Sequence, residues 1–115
     1  MTVSISQRDV VLIPVPFSSL ENSKPRPVIV ISNDAYNNKF DDFISISMTS
    51  QKLVSRDHIL PITNNDMEKG KLIVDSIAKV DMIHILHQKL IIYQIGTIRN
   101  DTFKKLKDML LDVIN

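Results

Sequence analysis

Lys24-Pro25-Arg26-Pro27-Val28-Ile29-Val30-Ile31-Ser32-Asn33-Asp34 is the stretch from which the fold is most readily read. Val28–Ile31 is a run of β-branched residues, the composition of a strand buried on a pleated sheet. The two prolines before it hold Arg26 near extended or polyproline geometry, so a cation is presented on a stiffened backbone at the mouth of a strand. Asn33-Asp34 then signals a turn and a short helical segment through Tyr36, with Asp34 as its expected cap.

The same signals recur outward in both directions. Asp9–Val15 is almost wholly apolar and suits a strand covered on both faces, with Pro14 ending its pairing. Phe43-Ile44-Ser45-Ile46-Ser47-Met48 alternates apolar and small polar residues, which predicts a strand with one face exposed, its polar side continuing to Thr49. His58–Ile62, Leu72–Met82 and Leu90–Ile95 read as further strands, the second interrupted near Asp75-Ser76. Residues 63–71 and His84–Lys89 read as connections. Phe103, Leu106, Met109, Leu110 and Val113 recur at helical spacing behind a cap at Asn100 or Asp101.

Composition agrees with this reading. The 115 residues include 17 Ile and 10 Val against two Ala and two Gly, which favours sheet over helical bundle. The length suits one domain, 1–115, with one core, and a chain this small gains from a dimer interface. The expected class is α+β and β-rich, or a small barrel closed by a terminal helix. The net charge of +1 is below the strongly basic footprint of many nucleic-acid binders, although a local basic site can still hold a few phosphates. With no cysteine, disulfides and thiolate chemistry are excluded. MTVSISQRD lacks the pattern of a secretory signal, and no apolar run approaches the ~18 residues of a membrane helix. A soluble cytoplasmic protein is expected.

Asp9–Ile13, Lys24–Asp34 and Met48-Thr49-Ser50-Gln51, followed by Ser76-Ile77-Ala78-Lys79-Val80-Asp81 and Ile95-Gly96, resemble in order and spacing the successive motifs of the MazF/PemK (Kid) toxins. The resemblance spans nearly the whole chain. It implies an SH3-like, partly open β-barrel of the PemK/CcdB type with short helices and a C-terminal helix. It also implies a homodimeric, metal-independent endoribonuclease that needs no cofactor, cuts single-stranded RNA at selected sequences and is inhibited by a cognate antitoxin. Two departures stand out. Arg8 occupies a position that is usually Gly, and Lys79 replaces an Arg, offering a point charge in place of a planar fork.

RNA cleavage without a metal proceeds by attack of the ribose 2′-hydroxyl on the adjacent phosphorus, leaving a 2′,3′-cyclic phosphate and a 5′-hydroxyl. Proton transfer and stabilisation of charge on the phosphorane are what the protein must supply. The resemblance assigns catalysis to Arg26 and Thr49. A guanidinium is a poor base near neutrality but fits two phosphate oxygens, so charge stabilisation is the physically stronger role for Arg26. By position alone, an exposed Arg26 paired with Glu21 or Asp34, and a Thr49 serving its strand end, are the more ordinary readings; the motif match reverses that preference. Ser19, beside Ser18 in the first loop, and Ser50, Gln51 and Lys79 are candidate RNA contacts. Their plain alternatives are loop solvation and a solvated strand lysine. Histidine is the residue type whose ordinary pKa suits acid–base work near neutrality, and two of His58, His84 and His87 could share proton transfer in a ribonuclease; without a Glu-x-x-His pattern they make a poor metal site, and His84 and His87 suit an exposed connection. Two further readings stay open on the same fold: a gyrase-directed toxin of the CcdB kind, and an RNA-binding module without turnover.

Overall fold

The computed structural model describes residues 4–15, 24–50 and 57–115. Its strands are β1 (Asp9–Pro14), β2 (Pro25–Val30), β3 (Asp42–Thr49), β4 (Ile59–Ile62), β5 (Met67–Gly70), β6 (Ser76–His87) and β7 (Tyr93–Ile98). They form one antiparallel sheet in the order β4-β6-β3-β2-β1-β7-β5, curled into a half-barrel. Helix α1 (Asp34–Lys39) joins β2 to β3, and α2 (Asn100–Ile114) follows β7. The expected α+β, SH3-like class with its terminal helix is what the chain adopts.

Strand alternation divides the apolar residues between two cores, one on each face of the sheet. Val10, Ile29, Ile46, Met48, Ala78, Val80 and Ile98 pack on one side, where α2 adds Phe103 and Leu106. Burying each of those two large side chains contributes about 1.5–3 kcal/mol, which is what holds the helix down. Val11, Ile13, Val28, Val30, Phe43 and Leu86 pack on the other side, closed by Ile5 and Ile91. Because both faces are covered, Ser45, Ser47 and Thr49 are buried at 0%, 5% and 5% exposure, and the expected solvent-facing side of β3 does not exist.

Other differences have local causes. Asn33, not Asp34, caps α1 by accepting from Tyr36 N–H at 2.8 Å, while Asp34 accepts from Gln7 N–H. Residue Arg99 precedes α2 without a side-chain cap, in place of Asn100 or Asp101. β6 begins only at Ser76 and continues through His84 to His87, so the expected connection there is strand. β5 was legible only as loop because Met67-Glu68-Lys69-Gly70 has no apolar period; pairing with β7 creates it. The chain's two glycines oppose each other in that pairing, Gly70 at φ +75. A Cβ on Gly96 would lie 2.2 Å from the Lys69 carbonyl oxygen. Arg8, where the resembling toxins have Gly, takes φ +81 and donates from Nη1 to the Ile98 carbonyl at 2.7 Å.

Asp66 ties the helix to the sheet. Its carboxylate accepts from Thr63 N–H and from Thr102 Oγ1, each at 2.8 Å, and its carbonyl accepts from Arg99 N–H. Replacing Asp66 with Ala leaves Thr63 N–H and Thr102 Oγ1 without this acceptor, while the bond from Arg99 N–H to the backbone carbonyl remains, and is expected to lower stability by about 1–3 kcal/mol, read from urea unfolding.

Candidate functional site

β2 and β3 are paired at Val28↔Ser47, Ile29↔Ile46 and Val30↔Ser45. Arg26 and Thr49 each lie two residues beyond Val28↔Ser47, toward the same end of the sheet, and alternation puts both side chains on one face. Their backbones are held from opposite sides. Arg26 is opposite Ile13 on β1, and Thr49 is opposite Ile77 on β6.

The pairing between β2 and β3 stops at this point for a definable reason. Ile31 N–H donates to the Ile44 carbonyl, so the odd residues of β2 direct their backbone groups toward β3. Pro27 is one of these and has no N–H to give. The ladder therefore ends just short of Arg26 and Thr49, the first residue half-buried and the second buried. Lys79, half-buried, lies two residues from Ile77 on the same side of β6, which brings a second cation to the face that carries Thr49.

Ser50 follows Thr49 directly and is exposed. Ser18, Ser19 and Gln51 lie outside the described residues.

The histidines separate by role. His58 Nε2 pairs with Asp112 Oδ2 at 3.1 Å, and His87 Nδ1 accepts from Lys89 N–H to cap a short 3-10 turn, Gln88–Leu90. His84 is in mid-strand opposite Ser45, on the face of β3 that also carries Ser47 and Thr49. Among the described residues, neither His84 Nε2 nor Ser47 Oγ, both buried, has a hydrogen-bond partner. The alternation Ile83-His84-Ile85 carried that placement in the sequence, and reading the histidine as connection masked it. No three His, Asp or Glu side chains among the described residues are grouped to hold a metal ion. No described helix is long and apolar enough to cross a membrane.

Among the described residues, the one buried carboxylate with a displaced titration is away from this end, at the start of β1. Burial raises the pKa of Asp9, opposed by hydrogen bonds from Ser6 N–H and Thr97 Oγ1 at 2.8 and 3.0 Å. An acid with a raised folded pKa binds its proton more readily when folded, so its contribution to stability falls as pH rises from 3.8 through the folded value. The Asp9→Asn variant removes this titration. Its stability relative to wild type is expected to improve as pH rises through that window, measured by unfolding at a series of pH values.

A sequence-family model described as PemK-like, MazF-like toxin of type II toxin–antitoxin system matches residues 6–114. No curated protein matches by sequence. Among solved structures, the chain is similar to an endoribonuclease in complex with its cognate antitoxin from a mycobacterial species. That match has a TM-score of 0.76 and 14% identity, and covers 96% of this chain and 94% of the other. It is likewise similar to the MazE–MazF complex of Deinococcus radiodurans, with a TM-score of 0.75, 14% identity, and coverage of 98% and 97%. At such identities the likeness is one of fold.

Proposed function

Because the chain belongs to the PemK-like, MazF-like toxins of type II toxin–antitoxin systems, we propose that it is a sequence-selective endoribonuclease acting on single-stranded RNA. It works as a homodimer in the cytoplasm, restrained by a cognate antitoxin. The observation that carries this reading is the placement of Arg26 and Thr49 on one face, just beyond the last rung of the ladder between β2 and β3 at Val28↔Ser47.

The RNA supplies its own nucleophile. The 2′-oxygen bonds to phosphorus as its proton is lost, the bond from phosphorus to the 5′-oxygen breaks, and that oxygen gains a proton. The products are a 2′,3′-cyclic phosphate and a 5′-hydroxyl. Negative charge on the non-bridging oxygens is greatest at the phosphorane, so a guanidinium fixed in advance stabilises the transition state more than the ground state. Arg26 takes that role with two parallel N–H donors. Thr49 Oγ1 orients the phosphate, Lys79 adds attraction for the strand, and Ser19, Ser50 and Gln51 contact the RNA beside the scissile bond. No step requires a metal ion or cofactor.

The test is purified protein with end-labelled single-stranded RNA in EDTA. Discrete cuts ending in 2′,3′-cyclic phosphate are expected, and Thr49→Ala should slow them about tenfold, the worth of one hydrogen bond of ~1.4 kcal/mol. Cutting that depends on added divalent metal, or products bearing a 5′-phosphate, would overturn the proposal.

A further inference from the structure

We propose that Ser47 and His84 form a base-reading subsite, which holds the Watson–Crick edge of a nucleotide beside the scissile phosphate. This rests on the nuclease proposed above and names residues that select its RNA.

A bulge brings the two onto one face. β6 pairs with β3 at Met48↔Ala78 and again at Ile46↔Ile83, so Lys79, Val80, Asp81 and Met82 stand against Ser47 alone. The extra residues reverse the phase of the strand. Ile77, opposite Thr49, and His84, opposite Ser45, therefore share a face although an odd interval separates them, which in a regular strand would put them on opposite faces. Without the bulge, Ile83 and Ile85 would take this side and His84 would point away. Bulges are common beside active sites, where they re-aim a side chain.

The pair consists of buried polar atoms that the folded chain does not use. Among the described residues, Ser47 Oγ and His84 Nε2 have no hydrogen-bond partner. Ser47 follows Ser45 on this face, which makes it the diagonal neighbour of His84. The Ser45 hydroxyl donates to the His84 carbonyl at 3.0 Å, whereas the Ser47 hydroxyl keeps both its proton and its lone pairs. Leaving such groups unpaired costs stability in the free protein, and a ligand that pairs them recovers it on binding.

Depth and distance decide which part of the RNA they meet. Ser47 and Thr49 are equally buried, at 5% exposure each, so a substrate that reaches Thr49 reaches the depth of Ser47. His84 as a whole is half-buried, and a ring at the surface changes rotamer readily enough to turn Nε2 toward an entering base. Along β3, Ser47 is about 7 Å from Thr49, and Ser45, opposite His84, is about 14 Å from it. Proton transfer needs about 2.6–3.2 Å, so His84 is no proton carrier for a phosphate held at Thr49. A neighbouring nucleotide spans that distance. A hydroxyl and an imidazole nitrogen present a donor and an acceptor, which the Watson–Crick edge of an unstacked base matches. Phosphate offers acceptors only, and Arg26, the guanidinium that suits it, lies at the Thr49 end.

Cleavage of a randomised single-stranded RNA pool, with the new ends sequenced, tests the subsite. Wild type is expected to favour one base at a position beside the cut by about tenfold or more over the poorest. Ser47→Ala and His84→Leu should each reduce that preference to about threefold or less and keep the preferences at other positions. His84→Gln, which retains a donor and an acceptor, should restore part of it. Because neither atom is paired in the free protein, Ser47→Ala and His84→Leu are also expected to unfold at urea concentrations equal to or above that of wild type. Unchanged preference in both variants, preference lost evenly at every position, or lower urea midpoints in both would overturn the subsite and leave the nuclease standing. Wild type that cuts no RNA would overturn both.

Discussion

Arg26→Ala is expected to reduce RNA cleavage by about 10²–10³-fold, equivalent to ~2.7–4 kcal/mol of transition-state stabilisation, as for other fixed donors to a developing oxyanion. The loss should fall on kcat more than on KM, because the charge that Arg26 meets is greatest at the phosphorane. Arg26→Lys distinguishes charge from geometry. If the two parallel donors matter, lysine restores only part of the rate. Circular-dichroism melting of both variants separates a loss of rate from a loss of fold. Single-turnover cleavage of end-labelled RNA gives the rate, and equal rates for wild type and Arg26→Ala would remove this residue from the mechanism.

Gly96→Val is expected to destabilise the protein by about 3 kcal/mol, the upper part of the range for overpacking a closed site. The cause is backbone, not side chain. A Cβ on Gly96 would lie 2.2 Å from the Lys69 carbonyl oxygen and 3.0 Å from Gly70 Cα, neither of which can rotate away. The strands must separate, and β5, which among the described residues pairs with β7 alone, is the one to move. Urea unfolding measures the loss. Hydrogen exchange should place the increased opening in β5 and the facing part of β7, with β2 and β3 unchanged.

How much of this was legible in the sequence depended on what each segment packs against. Val28–Ile31 identifies a strand because it is an unbroken run of β-branched residues, and Phe103, Leu106 and Leu110 identify a helix because their spacing carries its period. Met67–Gly70 carries none, and its strand exists through its neighbour β7. Ser45, Ser47 and Thr49 looked solvent-facing because small hydroxyl residues suit an exposed side; a second core on that face covers them. For the candidate site, the motifs point to Arg26, Thr49 and Lys79. Their common face follows from register and alternation, which local sequence does not encode. His84 reads as connection by its polarity, whereas the alternating isoleucines on either side of it mark the strand it occupies.

Pro27 carries a last consequence. A proline between two paired strands sacrifices a ladder bond, and replacing it with a residue that has an N–H, as in Pro27→Val, would let β2 and β3 continue pairing toward Arg26 and Thr49. The more tightly zipped sheet should resist denaturant better while admitting RNA less readily. Stability and activity are thus set against each other at a single atom, and selection for heat resistance alone would be expected to erode the nuclease there first.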